Sequence, residues 1–230
     1  MLVLVQEPAT ISVVIPTLNE GLWVRSAIDS VVRRASEVIV VDGGSTDTTV
    51  LEAAAAGARV VRAASGRAYQ MQAGAREAVG DWLVFLHADT RLDAGWCDAL
   101  RTLDSRFVAG AFRFRLDSPR ARYRLVEAAV RLRCAALGLP YGDQAIFARR
   151  DAFLGCGGFA DVPILEDVDL IRRLRRGGVL AFPAVHAVTS ARRWEQHGFV
   201  RTTLVNWLVL LLGSAGFPRR HLTRLYGARG

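Results

Sequence analysis

The stretch VIVVDGGSTD at positions 38–47 decides the fold of this chain. Its apolar, β-branched start predicts a buried strand, and the Gly-containing acidic end predicts a loop. The pattern recurs in WLVFLHAD at positions 82–89. In open α/β sheets, ligands bind just past the carboxyl ends of the strands. One Asp in such a place usually caps the next helix, but several acidic signals in one chain indicate a site.

Apolar runs alternate with helical patterns over the first half of the chain. Strands are expected at 11–15, 38–41, 58–62 and 82–86. Helices are expected at 20–34 (capped by Asn19), 46–56 (ended by Gly57), 68–79 and 93–104. This alternation predicts an α/β fold with a parallel, doubly wound sheet.

The pattern changes after position 103. Strands are expected at 107–116, where apolar residues alternate with Arg, and at 145–149 and 185–190. Helices are expected at 118–137, 166–176 and 198–212. Because there is no linker or repeat, we expect a single domain over 1–230. Its parts are a first half (1–103), a second half (104–197) and an apolar C-terminal segment (198–230).

Composition limits the partners. The chain has a formal net charge of +8, and all its Lys+Arg residues are Arg. Such a surface attracts phosphates or anionic lipid head groups. No zinc-finger spacing, recognition helix or RNP-type strand is present, so we expect no nucleic acid partner.

Three features of the sequence predict a cytoplasmic protein. The cysteines Cys97, Cys134 and Cys156 are odd in number and suggest reduced thiols. Residues 1–8 have no basic region or cleavage site, so we expect no signal peptide. The apolar stretch 204–217 is shorter than the roughly 20 residues of a membrane span.

Two predicted loops could hold a nucleotide together. PTLNE at 16–20 follows the first strand, and Asp42-Gly43 follows the second. Asp42 could accept a hydrogen bond from a base, and glycine lets the backbone approach a ring closely. A turn and a helix cap also explain each loop. The chain contains neither a dinucleotide-binding G-x-G-x-x-G after the first strand nor a P-loop.

Further along the chain, other side chains could carry chemistry. Asp89 could hold Mg²⁺ or Mn²⁺ against a diphosphate, and His87 could add a ligand or serve the structure alone. Glu166-Asp167 open a helix, where the helix dipole explains them, but such a carboxylate can also deprotonate a hydroxyl. Residues 192–194 (Arg-Arg-Trp) could contact phosphate and a sugar or lipid, or be a surface charge run.

Together these segments resemble the family 2 inverting glycosyltransferases, which have the GT-A fold. The resemblance reaches about Trp194 and is specific as a run of motifs. It rests on ISVVIPTLNE (11–20), VVDGGSTD (40–47), Gly66-Arg67, Gly74-Ala75, FLHAD (85–89), Gly142-Asp143-Gln144 and ILED (164–167).

The resemblance implies a role for each matched residue. Those implied to bind the nucleotide-sugar are Pro16, Thr17, Glu20, Asp42, Gly43, Arg67 and Ala88. Asp89, with His87, is implied to hold Mg²⁺ or Mn²⁺, and Asp167 to be the catalytic base beside Glu166. Those implied to face the acceptor are Asp143, Gln144, Arg193 and Trp194.

Two positions depart from the family pattern. His87 stands where the family's metal motif has an acidic residue. The Gln of processive relatives is absent from 188–190, so processive polymerisation is not expected. The chain is most similar to small, single-domain bacterial members.

The implied reaction is inverting sugar transfer from a nucleotide-sugar, with UDP-sugar preferred. A sugar nucleotidylyltransferase is an alternative, but it would need a Gly-rich loop after the first strand. A catalytically silent nucleotide-binding or membrane-adaptor protein is another, which loss of Asp89 or Asp167 would have favoured.

The C-terminal apolar helix bears on location and acceptor. Its apolar residues surround the helix, which is typical of a core helix or a membrane-facing one. They are Phe199, Leu204, Val205, Trp207, Leu208, Leu210, Leu211 and Leu212. The flanking arginines are Arg192, Arg193, Arg201, Arg219, Arg220 and Arg224. We expect peripheral attachment to the anionic inner face of the cell membrane and a lipid-linked or amphiphilic acceptor.

Overall fold

The computed structural model describes residues 8–162, 164–214, 217 and 219–226. In chain order its strands are β1 (Ile11–Thr17), β2 (Glu37–Asp42), β3 (Arg59–Arg62), β4 (Trp82–Phe85), β5 (Thr90–Leu92), β6 (Phe107–Ala111), β7 (Arg113–Asp117), β8 (Ile146–Arg149), β9 (Val179–Ala181) and β10 (His186–Ser190). Its helices are α1 (Val24–Asp29), α2 (Thr49–Ala55), α3 (Arg67–Glu77), α4 (Trp96–Arg101), α5 (Arg122–Leu137), α6 (Arg150–Gly155), α7 (Glu166–Leu174), α8 (Arg192–His197), α9 (Phe199–Ser214) and α10 (Arg219–Tyr226). The signal-peptide expectation concerns residues 1–8, of which residues 1–7 lie outside this description.

Seven strands form one sheet in the spatial order β3-β2-β1-β4-β8-β6-β9. β3, β2, β1 and β4 are parallel, as expected for the first half. β8 is antiparallel to both β4 and β6, so the whole sheet is mixed. Strands from both halves of the chain therefore share one sheet. A second sheet has the order β5-β10-β7.

Alternate residues of the central strands face opposite layers of helices. Val13 and Ile15 of β1 belong to a core cluster with residues of α1 and α4. Val14 of the same strand belongs to a second cluster with residues of α3, α6 and α7. Because both faces are covered, these strands are apolar throughout, which is the physical reason for the runs in the sequence. The α/β, doubly wound expectation is confirmed.

Gly74 allows α3 to lie close to the sheet. A Cβ at this position would be 2.4 Å from Val14 Cγ1 and 2.8 Å from Val41 Cγ2. No side chain fits there, so Gly74 sets the distance between α3 and the strands that lead into the site.

The expected first helix is wrong at its start. Asn19 has φ +55° and does not cap a helix; its Oδ1 accepts a hydrogen bond from Thr46 N at 2.9 Å. α1 begins only at Val24, and turns follow Asp29. The Asn side chain instead ties the loop after β1 to the loop after β2.

The expected strand 107–116 is two strands in different sheets. Phe112, fully buried, separates them: its N–H donates to Gln144 O at 2.9 Å. The next N–H, of Arg113, donates to Val185 O at 2.8 Å in the second sheet. The alternation of buried and exposed residues holds for β7 alone.

Other expected elements are present with shifted ends. α5 begins at Arg122 and not at 118, and Gly138, with φ +61°, ends it as expected. The sequence reading missed the short elements β5, β9, α6, α8 and α10.

α9 is neither wholly core nor wholly exposed. Val209 and Leu210 are buried, whereas Leu204 and Leu211 are 63% and 62% exposed. One face packs against the domain, through Val209 in a cluster with Ile164. No helix among the described residues combines the length and apolarity that crossing a membrane requires.

Candidate active site

The carboxyl ends of β1, β2 and β4 bring three sequence motifs together. β1 lies between β2 and β4, and Thr17 pairs in register with Asp42. The loops that carry PTLNE, Asp42-Gly43 and His87-Ala88-Asp89 therefore meet at one edge of the sheet. This is the edge where open α/β sheets bind ligands.

Internal hydrogen bonds hold the two loops that are expected to bind the nucleotide. The Asp42 carboxylate is 2% exposed and accepts N–H bonds from Gly44 and Ser45, each at 3.1 Å. Gly43 N donates to Thr17 O at 2.9 Å. The Thr17 side chain is also buried, so in this structure it shapes the loop and does not line an open surface. Half-buried Pro16 precedes it.

Gln70 is a site residue that the sequence reading missed. Its buried Nε2 donates to Thr17 O at 2.7 Å and to Val41 O at 2.8 Å. One amide thus fixes the ends of β1 and β2 beside Gly43. The available signal was its place on α3, four residues before Gly74 on the face that packs against the sheet.

Gly142 lies between the side chains of His87, which follows β4, and Asp167, at the start of α7. Its N–H donates to Asp167 Oδ2 at 2.6 Å. A Cβ on Gly142 would be 2.8 Å from His87 Nε2 and 3.5 Å from Asp167 Oδ2. The 3₁₀ turn Gly142–Gln144 thus brings the expected base next to the end of β4.

The environment of Asp167 suits a general base. Burial raises the pKa of its carboxyl to about 7; the Glu166 carboxylate adds to the rise, and the Gly142 N–H and Arg67 oppose it. Glu166 is 6% exposed, and its Oε1 lies 3.5 Å from Arg67 Nε. A carboxyl with a pKa near neutrality can accept a proton efficiently.

Asp143 is a second carboxyl with a shifted pKa. Burial raises its pKa to about 6, opposed by Arg133, Arg67 and Arg193 and assisted by Asp89. Asp143 therefore sits within electrostatic reach of the expected donor, metal and acceptor groups.

His87 and Asp89 are the expected metal ligands. Among the described residues, no three His, Cys, Asp or Glu side chains converge as a preformed cluster. Mg²⁺ at diphosphate sites, however, uses one or two protein ligands and completes its shell with phosphate oxygens and water. Burial lowers the pKa of His87 to about 3, so the imidazole is neutral, and its Nε2 has no hydrogen-bond partner in the described residues. Asp89 and His87 fit a cation shared with a diphosphate; Ala88 between them is buried.

Arg192 connects the loop after β1, through Glu20, to the loop after β4, through Asp89. Its Nη1 and Nη2 lie 2.9 and 2.7 Å from the Glu20 carboxylate oxygens. Its Nε lies 3.2 Å from Asp89 Oδ2. Glu20, expected to contact the nucleotide, is thus engaged by this arginine. Only the tertiary fold brings α8 to these loops.

The acceptor residues differ in their surroundings. Gln144 is 2% exposed. Its Oε1 accepts a hydrogen bond from Arg133 Nη2, and its Nε2 donates one to Phe112 O, each at 3.1 Å. These contacts give Gln144 a structural role and leave its expected acceptor contact without support. Trp194 is also buried, and its Nε1 donates to Thr203 Oγ1 at 3.3 Å.

A narrow crevice between α5 and α9 is lined in part by Trp194 and Asp143. The space inside it that water-sized molecules can occupy is only about 40 Å³. The apolar lining residues are Phe114, Val126, Val130, Trp194, Trp207 and Leu210. The polar ones are Arg133, Tyr141, Asp143, Thr203 and Asn206. The Asn206 Oδ1 is buried and has no hydrogen-bond partner in the described residues.

Solved structures with this fold include glucosyl-3-phosphoglycerate synthase of Mycobacterium tuberculosis. One has a TM-score of 0.61 at 25% identity, covering 91% of this chain and 82% of that one. Another, in complex with Mn²⁺, UDP and glucosyl-3-phosphoglycerate, has a TM-score of 0.58 at 24% identity, covering 91% and 81%. At 24% identity, the likeness to this second structure shows a shared fold and nothing more. The GT-A expectation is confirmed.

Curated relatives match shorter segments. The same enzyme from Mycobacterium tuberculosis H37Rv is 52% identical over 56 residues, 23% of this chain and 17% of that protein. A PGL/p-HBAD biosynthesis glycosyltransferase from Mycobacterium bovis BCG is 37% identical over 91 residues, 35% of this chain and 36% of that protein. The matches thus span well under half of these relatives' length. The family model described as glycosyl transferase family 2 matches residues 12–152, more than half of the chain. The chain belongs to glycosyl transferase family 2.

Proposed function

We propose that this chain transfers a sugar from a nucleotide-diphosphate sugar, preferably a UDP-sugar, to an acceptor hydroxyl with inversion of the anomeric centre. One observation carries the proposal. Asp167, with a pKa raised to about 7, is held by Gly142 beside His87, at the edge of the sheet where the two nucleotide loops meet. A base in that place can act on a hydroxyl that approaches the bound donor.

The reaction needs one base. Asp167 takes the proton of the acceptor hydroxyl, whose oxygen attacks the anomeric carbon from the face opposite the nucleotide. The bond from that carbon to the diphosphate oxygen breaks, and the electron pair leaves with the nucleoside diphosphate. A single displacement inverts the anomeric centre. Glu166, paired with Arg67, keeps a second negative charge next to the base and so supports its raised pKa.

Asp89 and His87 would hold Mg²⁺ or Mn²⁺ between the protein and the diphosphate. When bound, the cation neutralises negative charge on the leaving group. The mycobacterial relative has been crystallised with Mn²⁺ and UDP, and with Mg²⁺ and UDP. That agreement supports the assignment, and the Asp89 carboxylate at the end of β4 is its basis in this chain.

The crevice between α5 and α9 supports an amphiphilic acceptor. Six of its eleven lining residues are apolar, and Asp143 and Arg133 are among the five polar ones. Gly142 N–H binds the base, and Asp143 is the next residue, so the crevice adjoins the catalytic group. The chemistry of this lining favours an acceptor with an apolar or lipid part near its reactive hydroxyl.

Exposed apolar residues on the two helices that line the crevice support peripheral membrane attachment. Val200, Leu204 and Leu211 are more than 60% exposed on α9, and Leu125 and Leu132 are about 70% exposed on α5. The arginine part of this expectation needs correction. Arg192 pairs with Glu20 and Asp89, and Arg219 with Asp169, so neither is available as expected. The side chains of Arg220 and Arg224 lie outside the described residues. Arg201 on α9 and Arg122 and Arg131 on α5 are exposed basic residues of the same two helices.

Calorimetry with UDP tests the donor and metal assignments together. UDP should bind more tightly with Mn²⁺ or Mg²⁺ than without, and Asp89→Ala should remove that dependence. Asp93→Ala is a matched control, because Asp93 is a nearby acid paired with His186 and is outside the proposed site. Equal UDP affinity with and without metal, in wild type and Asp89→Ala alike, would overturn the metal assignment.

A further inference from the structure

Arg192 already neutralises the carboxylate proposed to bind the metal. Its guanidinium pairs with both Glu20 oxygens, at 2.9 and 2.7 Å, and with Asp89 Oδ2 at 3.2 Å. The three side chains are only 20–32% exposed. The guanidinium also lies over the Trp23 ring, 5.4 Å from its centroid. One arginine thus holds together the loop after β1, the end of β4 and the start of α8.

This contact sets a cost for cation binding in the absence of donor. A divalent cation that takes Asp89 must share that carboxylate with a guanidinium or displace it. Two positive groups on one carboxylate repel each other. Partial burial strengthens this repulsion, because less water screens the charges. Glu20 alone would then keep the displaced arginine.

A diphosphate offers the displaced guanidinium a better partner. The planar fork of Arg matches phosphate oxygens and makes paired, charge-assisted hydrogen bonds with them. The donor's diphosphate, in the proposed function, arrives at the same strand ends. The cation can then take Asp89 while the arginine turns to the phosphates.

We propose that Arg192 competes with the divalent cation for Asp89, so that metal and nucleotide bind this enzyme together and not singly. The inference rests on the proposed function for its donor and metal. Arg192 acts as a positioning residue: it holds Asp89 and Glu20 in place before the donor binds and contacts the diphosphate afterwards. No family motif that we matched assigns it this role.

Electron paramagnetic resonance of Mn²⁺ tests the proposal without any turnover. Mn²⁺ affinity is measured with and without UDP for wild type, Arg192→Gln and Arg91→Gln. In wild type, UDP should tighten Mn²⁺ binding within the usual coupling range of about 5–150-fold. Arg192→Gln should bind Mn²⁺ alone about fivefold or more tighter than wild type, and should show a smaller effect of UDP.

Arg91→Gln is the matched control. It removes the same charge from an exposed pair with Asp117, 2.8 Å away, and should behave as wild type. Equal tightening in both variants would overturn the proposal, because net charge would then explain it. So would unchanged or weaker Mn²⁺ binding by Arg192→Gln.

Two further readouts keep the test decisive. Arg192→Lys retains the charge but cannot span both carboxylates in the same way, so its affinity for Mn²⁺ alone should lie between those of wild type and Arg192→Gln. If Arg192→Gln does not fold, an Arg192→Lys affinity equal to or below wild type overturns the inference. If the Arg192 variants do not show the predicted Mn²⁺ affinities while wild type still turns over UDP-sugar with Mn²⁺, the inference is wrong and the proposed function still holds. No Mn²⁺ binding by wild type, with or without UDP, would overturn the inference together with the metal assignment, whereas the transfer step proposed for Asp167 is tested separately.

Discussion

At the scale of single residues, Glu166 and Asp167 are adjacent carboxylates with different partners. Glu166 faces Arg67, whereas Asp167 accepts the Gly142 N–H. Asp167→Asn keeps the shape and removes the base, so transfer should fall about 10²–10⁴-fold while UDP affinity changes little. Initial rates and calorimetry on the same preparations measure both.

Glu166→Gln is the paired variant for that experiment. It should lower the rate less than Asp167→Asn, because it alters the neighbour of the base and leaves the base itself. If Asp167→Asn transfers sugar at the wild-type rate while Glu166→Gln does not, the two roles must be exchanged.

The raised pKa of Asp167 predicts opposite effects of pH on rate and stability. The rate should rise as pH increases through about 7, because the base must be ionised. The folded-state pKa is above that of an unfolded Asp, about 3.9, so the folded state binds the proton more tightly. The stability from this group is complete below about pH 4 and is lost as pH rises through about 7.

The stability half of this prediction uses the same variant. Asp167→Asn should be more stable than wild type, with a gap in unfolding free energy that widens between pH 4 and 7 and reaches about 1 kcal/mol or more. Urea unfolding at several pH values measures it. A gap that stays constant over this range would contradict the burial of an ionisable Asp167.

At the scale of elements, the 3₁₀ turn Gly142–Gln144 positions the base. Gly142→Ala would place a methyl group 2.8 Å from His87 Nε2, which forces the turn or the imidazole to move. We expect a loss of transfer activity together with a loss of about 1–3 kcal/mol in stability from overpacking.

Gly155→Ala in α6 is the control for that variant. A Cβ there would meet nothing within 4 Å, so stability should be unchanged or slightly higher and activity intact. Wild-type activity in Gly142→Ala would show that the turn does not constrain Asp167.

Elements with a strong local signal were predictable from the sequence. The strand at 11–15 is present as β1, and the acidic loops after β2 and β4 do meet at one edge. The boundary of α5 at Gly138 also followed from local chemistry. Each of these depends on neighbours in sequence, on apolar runs or on a glycine with positive φ.

Elements that depend on tertiary contacts were not predictable. The break at Phe112 comes from hydrogen bonds to Gln144 and Val185, which are far along the chain. Gln70 looks like an ordinary helix residue until the fold brings it to the end of β1. Arg192 was a candidate phosphate contact, but its pairing with Glu20 and Asp89 depends on the fold. Periodicity has no information about such partners.

At the scale of the whole molecule, α5 and α9 each carry exposed apolar and exposed basic side chains. Replacing Trp207 and Leu211 with Ser should weaken sedimentation with vesicles, and wild-type binding should rise with anionic lipid content. Leu51→Ser with Val79→Ser removes two other exposed apolar side chains and should bind as wild type. Equal partitioning into neutral and anionic vesicles would contradict the role of anionic lipid, and no partitioning into either would contradict membrane attachment.

The most direct test of the central claim is the anomeric outcome of the reaction. Nucleotide-sugars are first screened with Mn²⁺ for release of free nucleotide. The sugar product of the best donor is then followed by proton NMR before its α and β anomers equilibrate. An α-linked UDP-sugar should give the β product in wild type, and Asp167→Asn should give little product of either kind. Retention of the α configuration, or equal turnover by Asp167→Asn, would contradict a single displacement driven by Asp167.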